Sequence, residues 1–385
     1  MNPVLKFVLK FYSLFIKKED TYLIFESAYN FYDNSFALYK YVKEHYPEYK
    51  LKYLVTTKEM KASGPINGVS KKEMLNVKNK LSLYKYSLKS KCIFFSHINY
   101  WRKFKLQPNT KIVYLNHGEF PIKDCGDYYD FLFSLPQENK LDIVMGTKHI
   151  DEVLSKRYPV LNNHNHVVVG APRNDEMFHP NYTKEEFLNK IGMKNGQLIL
   201  SMTTFRNKEK ANTDYFKEEY PVNLSKEELK EFDNKLKANN QVLLIKLHHS
   251  QTGVIYPKDL TNIIFLNNKQ LEALNITIAQ LYGISDCLMT DYSSAYLSYL
   301  NLDRPLGFIL ADKKAYDKSQ GLTIDNVEEI MPGDKIYSKE ELYKFFDTLK
   351  SGKDNYSHKR KEIRLQFSGD YSDHNAESVA NYYLK

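Results

Sequence analysis

Short apolar runs alternate with amphipathic helical stretches along almost all of this chain, and that alternation constrains the fold more than any single motif. The expected strands of the first half are Tyr22 to Glu26, Leu51 to Thr56, Cys92 to Ser96, Lys111 to Leu115, Tyr129 to Leu135 and Ile143 to Gly146. Those of the second half are Val167 to Gly170, Leu198 to Met202, Val242 to Leu247, Ile263 to Leu266, Cys287 to Thr290 and Leu306 to Leu310. Between them apolar residues fall at helical spacing, as at Phe36, Tyr39, Val42 and Tyr46, or from Leu224 to Leu236. Apolar strands separated by helices build parallel sheets covered on both faces, the doubly wound α/β arrangement. At 385 residues the chain exceeds the size at which one core stops growing, so two sets of strands read as two Rossmann-like lobes. The division falls in the polar stretch from His179 to Gly196, giving domains 19–180 and 181–385. Ligands of open α/β sheets sit at the carboxyl ends of the strands, so a central cleft between facing lobes is the expected site.

With 42% hydrophobic and 14% aromatic residues the chain can bury large cores. Cys92, Cys125 and Cys287 form no CxxC pair, which argues against a disulfide scaffold or a thiolate zinc site and fits a reducing cytoplasm. The net charge of +8 points to an anionic partner. At the N-terminus Lys6, Lys10, Lys17 and Lys18 are interleaved with Leu5, Phe7, Phe11, Leu14 and Phe15. Residues 1–18 are too short and too charged to span a bilayer but suit an amphipathic helix lying at an anionic membrane surface. A first helix packed on the protein's own core fits the same pattern.

Polar residues cluster after the expected strands. His117 and Gly118 follow Leu115, where an imidazole could serve as a general base; a hydrogen-bonded loop histidine is the plain alternative. Thr203 and Arg206 follow Met202, and an arginine fork beside hydroxyls matches phosphate oxygens, although most arginines simply lie at the surface. His248 ends the strand that carries Lys246 and could offset developing negative charge. Asp291, Ser293 and Ser294 join a strand to a helix, a natural anion site, or else one of them caps that helix. No GxGxxG, GxxxxGK[ST], GxSxG or HExxH motif is present, and no carboxylate stands at close ligand spacing to the histidines, so no cofactor and no metal are expected. Aromatic residues lie within apolar runs rather than in RNA-stacking motifs, which argues against nucleic acid.

Taken in order, these motifs resemble the CDP-glycerol glycerophosphotransferase family, the teichoic-acid primases and polymerases. The likeness rests on Phe25 to Ser27, Asp33-Asn34, His117-Gly118, Gly170 to Asp175, SMTTFR, IKLH, TDYSS with DRP, and Gly321, Asp325 and Pro332-Gly333. It implies a GT-B type architecture, with an acceptor-side N-terminal domain and a C-terminal domain holding a nucleotide donor. It further implies peripheral attachment to the cytoplasmic face of the membrane, where a polyprenyl-linked glycan acceptor waits. His117 matches the family's base, and His248, a second catalytic position, lies with Arg206, Asp291, Ser293 and Ser294 around the donor pyrophosphate. Gly118, Thr203, Gly321 and Asp325 complete the expected substrate contacts. Three departures stand out: Glu119 and Phe120 separate Gly118 from Pro121, His249 replaces a proline, and Gln320 replaces an arginine. The expected reaction moves a polyol phosphate, glycerol phosphate or ribitol phosphate, from a CDP-linked donor to a hydroxyl of a lipid-linked glycan or growing polymer, releasing CMP. A GT-B glycosyltransferase using a nucleotide sugar and an inactive membrane-surface binding module are the alternatives.

Overall fold

The computed structural model describes residues 11, 15–16, 19–27, 33–61, 67–101, 104, 106–107, 109–133, 140–204, 224–247, 257, 259–369 and 373–385. Most of the expected N-terminal amphipathic helix lies outside them, as do Arg206 and His248. Among the described residues no helix is long and apolar enough to cross a membrane.

The chain divides into two compact units. The first has seven strands: β1 (Tyr22–Glu26), β2 (Lys50–Val55), β3 (Met74–Asn76), β4 (Ser90–Phe95), β5 (Lys111–Tyr114), β6 (Leu141–Met145) and β7 (Asn165–Val168). They pair in the order β3-β2-β1-β4-β5-β6-β7, every pair parallel. The second unit has β8 (Gln197–Met202), β9 (Gln241–Lys246), β10 (Ile263–Leu266), β11 (Cys287–Thr290), β12 (Leu306–Ile309) and β13 (Asp334–Ile336), ordered β10-β9-β8-β11-β12-β13 and again wholly parallel. In each sheet the order reverses once, between β1 and β4 in the first and between β8 and β11 in the second. Such a reversal opens a crevice at the carboxyl ends of the two strands, where ligands of this sheet type bind.

The sequence pattern explains the cores. Leu23, Phe25, Cys92, Phe94 and Val113 are fully buried, and the helix Asn34–His45 lays Leu38, Tyr39 and Val42 on them. In the second unit, Leu229, Phe232 and Leu236 of helix Lys226–Asn239 and Leu342, Phe345 and Phe346 of helix Lys339–Lys350 cover Ile199, Leu243, Ile245 and Met289.

Three expectations need correction. Tyr129 to Leu135, read as a strand, belongs in its described part to the helix Gly126–Phe133, whose buried residues Tyr129, Leu132 and Phe133 stand at helical spacing. The edge strands β3 and β13 have three residues each, too few to show a pattern in the sequence. The units are also not the two contiguous segments 19–180 and 181–385. The first comprises 1–119, 126–175 and 372–385, and the second comprises 120–125 and 176–371. The helix Asn375–Leu384 joins the first core through Ala376, Val379, Ala380, Tyr383 and Leu384. Asp175 accepts hydrogen bonds from the Asn375 and Ala376 backbone N–H groups at 2.9 and 2.8 Å, and Tyr46 donates to Asn381 at 2.8 Å.

Candidate functional site

In the first unit the polar residues gather where β1, β4 and β5 end. Asn116, just past β5, adopts a left-handed conformation at φ 59°, which asparagine tolerates better than most residues, and its side chain donates to Val144 O. That turn takes His117 out of the sheet direction, with a side chain 63% exposed. Asp33 is fully buried and caps the helix Asn34–His45, its Oδ1 accepting from Asn34 N at 2.7 Å. Its other oxygen, Oδ2, stands 3.0 Å from His117 Nδ1 and 3.1 Å from His97 Nδ1. The His97 and His117 rings lie 4.2 Å apart, tilted by 54°.

Arg173 closes this cluster. Its guanidinium stands 3.8 Å from Asp33 Oδ1 and 3.5 Å from Glu119 Oε2, and it donates to His117 O. Asn174 donates to Glu119 Oε1 at 2.6 Å, so the glutamate at the departure from the family pattern is buried in a hydrogen-bonded pair. Asn34 ties the loops together, donating to Leu115 O and Asn116 O at 3.0 Å and accepting from Arg173 N at 3.1 Å.

Electrostatics divides the roles. Burial works against the Asp33 charge, but His117, His97 and Arg173 outweigh it and hold the carboxyl down at about 2. Burial pulls His97 down to about 4 despite Asp33, so at neutral pH its ring is uncharged. An ionised Asp33 facing His117 Nδ1 makes that nitrogen the donor and leaves Nε2 with its lone pair, the arrangement a general base requires.

Asp33, His97 and His117 are also the one group among the described residues whose ligand-type atoms converge within 4.8 Å. The carboxylate that was missing at close sequence spacing is therefore supplied from 84 residues away. The contacts are of hydrogen-bond length, and the Arg173 guanidinium beside the same carboxylate disfavours a cation, so the cluster reads as machinery for a proton.

Glu26 supports it from below. It is 1% exposed, and its Oε2 accepts from the backbone N–H groups of Ser96, His97 and Ile98 at 3.3–3.4 Å, holding the loop that carries His97. Burial pushes its carboxyl up to about 8. A carboxyl raised on folding stabilises the fold below its unfolded value near 4.5 and loses that contribution as pH rises towards 8. His97, lowered on folding, acts oppositely between about 4 and 6.5. Between pH 6.5 and 8 only the Glu26 loss remains, on the order of 2 kcal/mol. Glu26→Gln should therefore flatten the fall in stability across that window, measured by denaturant unfolding at several pH values; equal slopes for both proteins would refute the assignment.

In the second unit Thr203, Asp291, Ser293 and Ser294, of the residues expected from the sequence, lie at the reversal between β8 and β11. Asp291, fully buried, accepts from Thr204 N at 2.9 and 3.0 Å, from Thr204 Oγ1 at 2.8 Å and from Ser293 N at 3.2 Å. Asp291 thus ties the two strand ends together rather than presenting its oxygens outward. Ser293 Oγ accepts from Ala295 N at 3.3 Å, while the Ser294 side chain makes no cap to the short helix Ala295–Tyr299. Thr203 is half-buried beside Thr204. Lys246, at the end of β9, is pushed down to about 8 by burial.

Gly321, with φ 70° and an added Cβ 3.4 Å from Asp124, ends the helix Lys313–Gln320 and accepts from Asp124 N at 3.2 Å. Asp325 lies exposed nearby in sequence. Replacing Asp291 by alanine strands three donors and should cost about 3 kcal/mol of stability. A loss under about 1 kcal/mol in denaturant unfolding would contradict the clamp.

Sequence reasoning missed His97, Glu26 and Arg173 as working residues and treated Asp33 only as a marker. His97 carried a usable signal, since it follows the apolar run Cys92 to Phe95 as His117 follows Ile112 to Leu115.

Two Rossmann-ordered units with polar clusters at their sheet reversals define a two-domain, doubly wound α/β protein. Residues 7–384 match the family model described as CDP-Glycerol:Poly(glycerophosphate) glycerophosphotransferase, and the chain belongs to that family. It is 25% identical over 255 residues to the teichoic acid glycerol-phosphate primase of Bacillus subtilis strain 168, covering 66% of this chain and 58% of that protein. It is 29% identical over 189 residues to the teichoic acid poly(glycerol phosphate) polymerase of Bacillus spizizenii W23, covering 48% and 45%. The chain thus spans about half the length of the curated relatives it matches. Its fold is that of the wall teichoic acid polymerase TagF, with a TM-score of 0.72 at 19% identity over 99% of this chain and 94% of the other.

Proposed function

We propose that this chain transfers glycerol phosphate from CDP-glycerol to an acceptor hydroxyl and releases CMP. The observation that carries the reading is the His117–Asp33 pair at 3.0 Å, with an exposed ring on a buried, charged carboxylate. His117 Nε2 takes the proton of the acceptor hydroxyl as its oxygen attacks the distal phosphorus of the donor, and the bond to the CMP oxygen breaks. Asp33 stabilises the imidazolium formed. The transition state of phosphoryl transfer is largely dissociative, so positioning and charge stabilisation supply the rest. The turn at Thr203, Thr204, Ser293 and Ser294, fixed by Asp291, receives the pyrophosphate, with Arg206 and His248 as its further contacts, and Gly118, Gly321 and Asp325 serve as other substrate contacts. Family membership and the sheet reversal at that turn support this half of the site.

The acceptor in this reading is a lipid-linked glycan or growing polymer, met at the cytoplasmic face of the membrane through the basic N-terminal segment 1–18. Incubation with CDP-glycerol and with CDP-ribitol, each with short lipid-linked acceptors, tests the reaction by CMP release. Release dependent on CDP-glycerol and acceptor supports it; release with ribitol alone changes the polyol, and none with either donor overturns the reading. Deletion of residues 1–17 without loss of vesicle partitioning would remove the membrane contact.

A further inference from the structure

We propose that Arg173 is a positioning residue for His117: its guanidinium, seated on Glu119, fixes the carbonyl that follows the turn at Asn116 and so keeps the imidazole on Asp33. The inference rests on the base role given to His117 above. His117 leaves the sheet direction through the left-handed residue Asn116, so its aim depends on how three successive carbonyls are held. Asn34 Nδ2 donates to those of Leu115 and Asn116 at 3.0 Å, and Arg173 donates to that of His117. The two holders are themselves joined, because Asn34 Oδ1 accepts from Arg173 N at 3.1 Å.

The guanidinium is anchored in its turn. One nitrogen serves His117 O and stands 3.8 Å from Asp33 Oδ1, while the other stands 3.5 Å from Glu119 Oε2. Glu119 is buried, and Asn174 donates to its second oxygen at 2.6 Å. A planar fork with donors on separate nitrogens reaches all three groups, whereas a lysine ammonium is a single point on a flexible stem. The 3-10 turn Pro172–Met177 that carries Arg173 and Asn174 is held from its other side by Asp175, which accepts from Asn375 N at 2.9 Å and Ala376 N at 2.8 Å. Gly170 admits that approach, since a Cβ there would lie 1.6 Å from Asn375 Oδ1. Three successive residues thus tie the His117 loop to the helix Asn375–Leu384, and Glu119, which stands at the departure from the family pattern, is the anchor this chain supplies.

A cycle of Arg173→Lys, His117→Ala and the double variant in the full chain tests this, with CMP release from CDP-glycerol and a short lipid-linked acceptor as the rate and calorimetry for donor affinity. Arg173→Lys should lower kcat about 10- to 100-fold, the cost of a misplaced reacting group, and leave the acceptor KM and the CDP-glycerol dissociation constant within about threefold. Added to His117→Ala, it should remove no more than about a further twofold, because Arg173 acts only through that ring. Losses that multiply in the double variant, or a loss confined to KM or donor affinity, would overturn the proposal by showing that Arg173 acts on substrate itself. Wild-type kcat in Arg173→Lys would overturn it equally. Near wild-type turnover of His117→Ala alone, read separately, would remove the base role and the proposal together. If Arg173→Lys does not fold, Arg173→Met with Glu119→Leu takes its place, since it removes the buried charge and its partner at once.

Discussion

Replacement of His117 by alanine should lower turnover of donor and acceptor by about 10²- to 10⁴-fold, the range that general-base catalysis supplies. The fold should hardly notice. The side chain is 63% exposed, and its ring hydrogen bond is made to a carboxylate already engaged with Asn34 N, His97 and Arg173. Donor binding should persist, because the turn assigned to the pyrophosphate lies in the other unit. The loss should therefore fall on kcat, with the dissociation constant for CDP-glycerol within a few-fold of wild type. Near wild-type turnover with a competent acceptor would end the base assignment.

The second large effect is expected from Asp33→Asn, which separates the two tasks of one residue. Asparagine is as good a helix cap as aspartate, so the bond to Asn34 N and the start of the helix Asn34–His45 should survive. What disappears is the charge. An amide facing His117 Nδ1 cannot stabilise the imidazolium, and if its NH₂ turns to the ring it forces the tautomer whose Nε2 carries a proton and cannot accept one. Loss of an equivalent carboxylate in hydrolytic triads costs about 10⁴-fold. A fall of 10²-fold or more with an unfolding midpoint near wild type is the expected outcome here. A variant that loses stability and activity in proportion would show instead that the Asp33 charge serves the fold through Arg173 and the histidines.

The strands were legible because the sheets are wholly parallel and apolar on both faces, as the runs around Phe25, Phe94, Leu200 and Leu244 advertise. The end of each such run also pointed to the polar residues beyond it, which is how His117 and Asp291 could be singled out. Their working partners were not legible in the same way. Asp33 lies 84 residues from His117 and Thr204 lies 87 from Asp291, so only the pairing of strands β1, β4 and β5, and of β8 and β11, brings them within hydrogen-bond reach. Asp291 shows the other limit. Its residue type and place suggested a ligand contact, whereas its oxygens are taken up by Thr204 and Ser293, a fact about packing that spacing does not encode. The run at Tyr129 misled because its aromatic residues suit strand and helix alike.

The helix Asn375–Leu384 has a consequence for the order in which the chain matures. Domains usually fold as they emerge from the ribosome, the amino-terminal one first. Here the first unit has Leu23, Phe94 and Val113 waiting for Val379, Ala380 and Tyr383, which are synthesised after the whole of the second unit. The second unit can close while its neighbour is still missing a face of its core. The unit that carries the cluster around Asp33, whose residues run from Glu26 to Arg173, is then the one completed last.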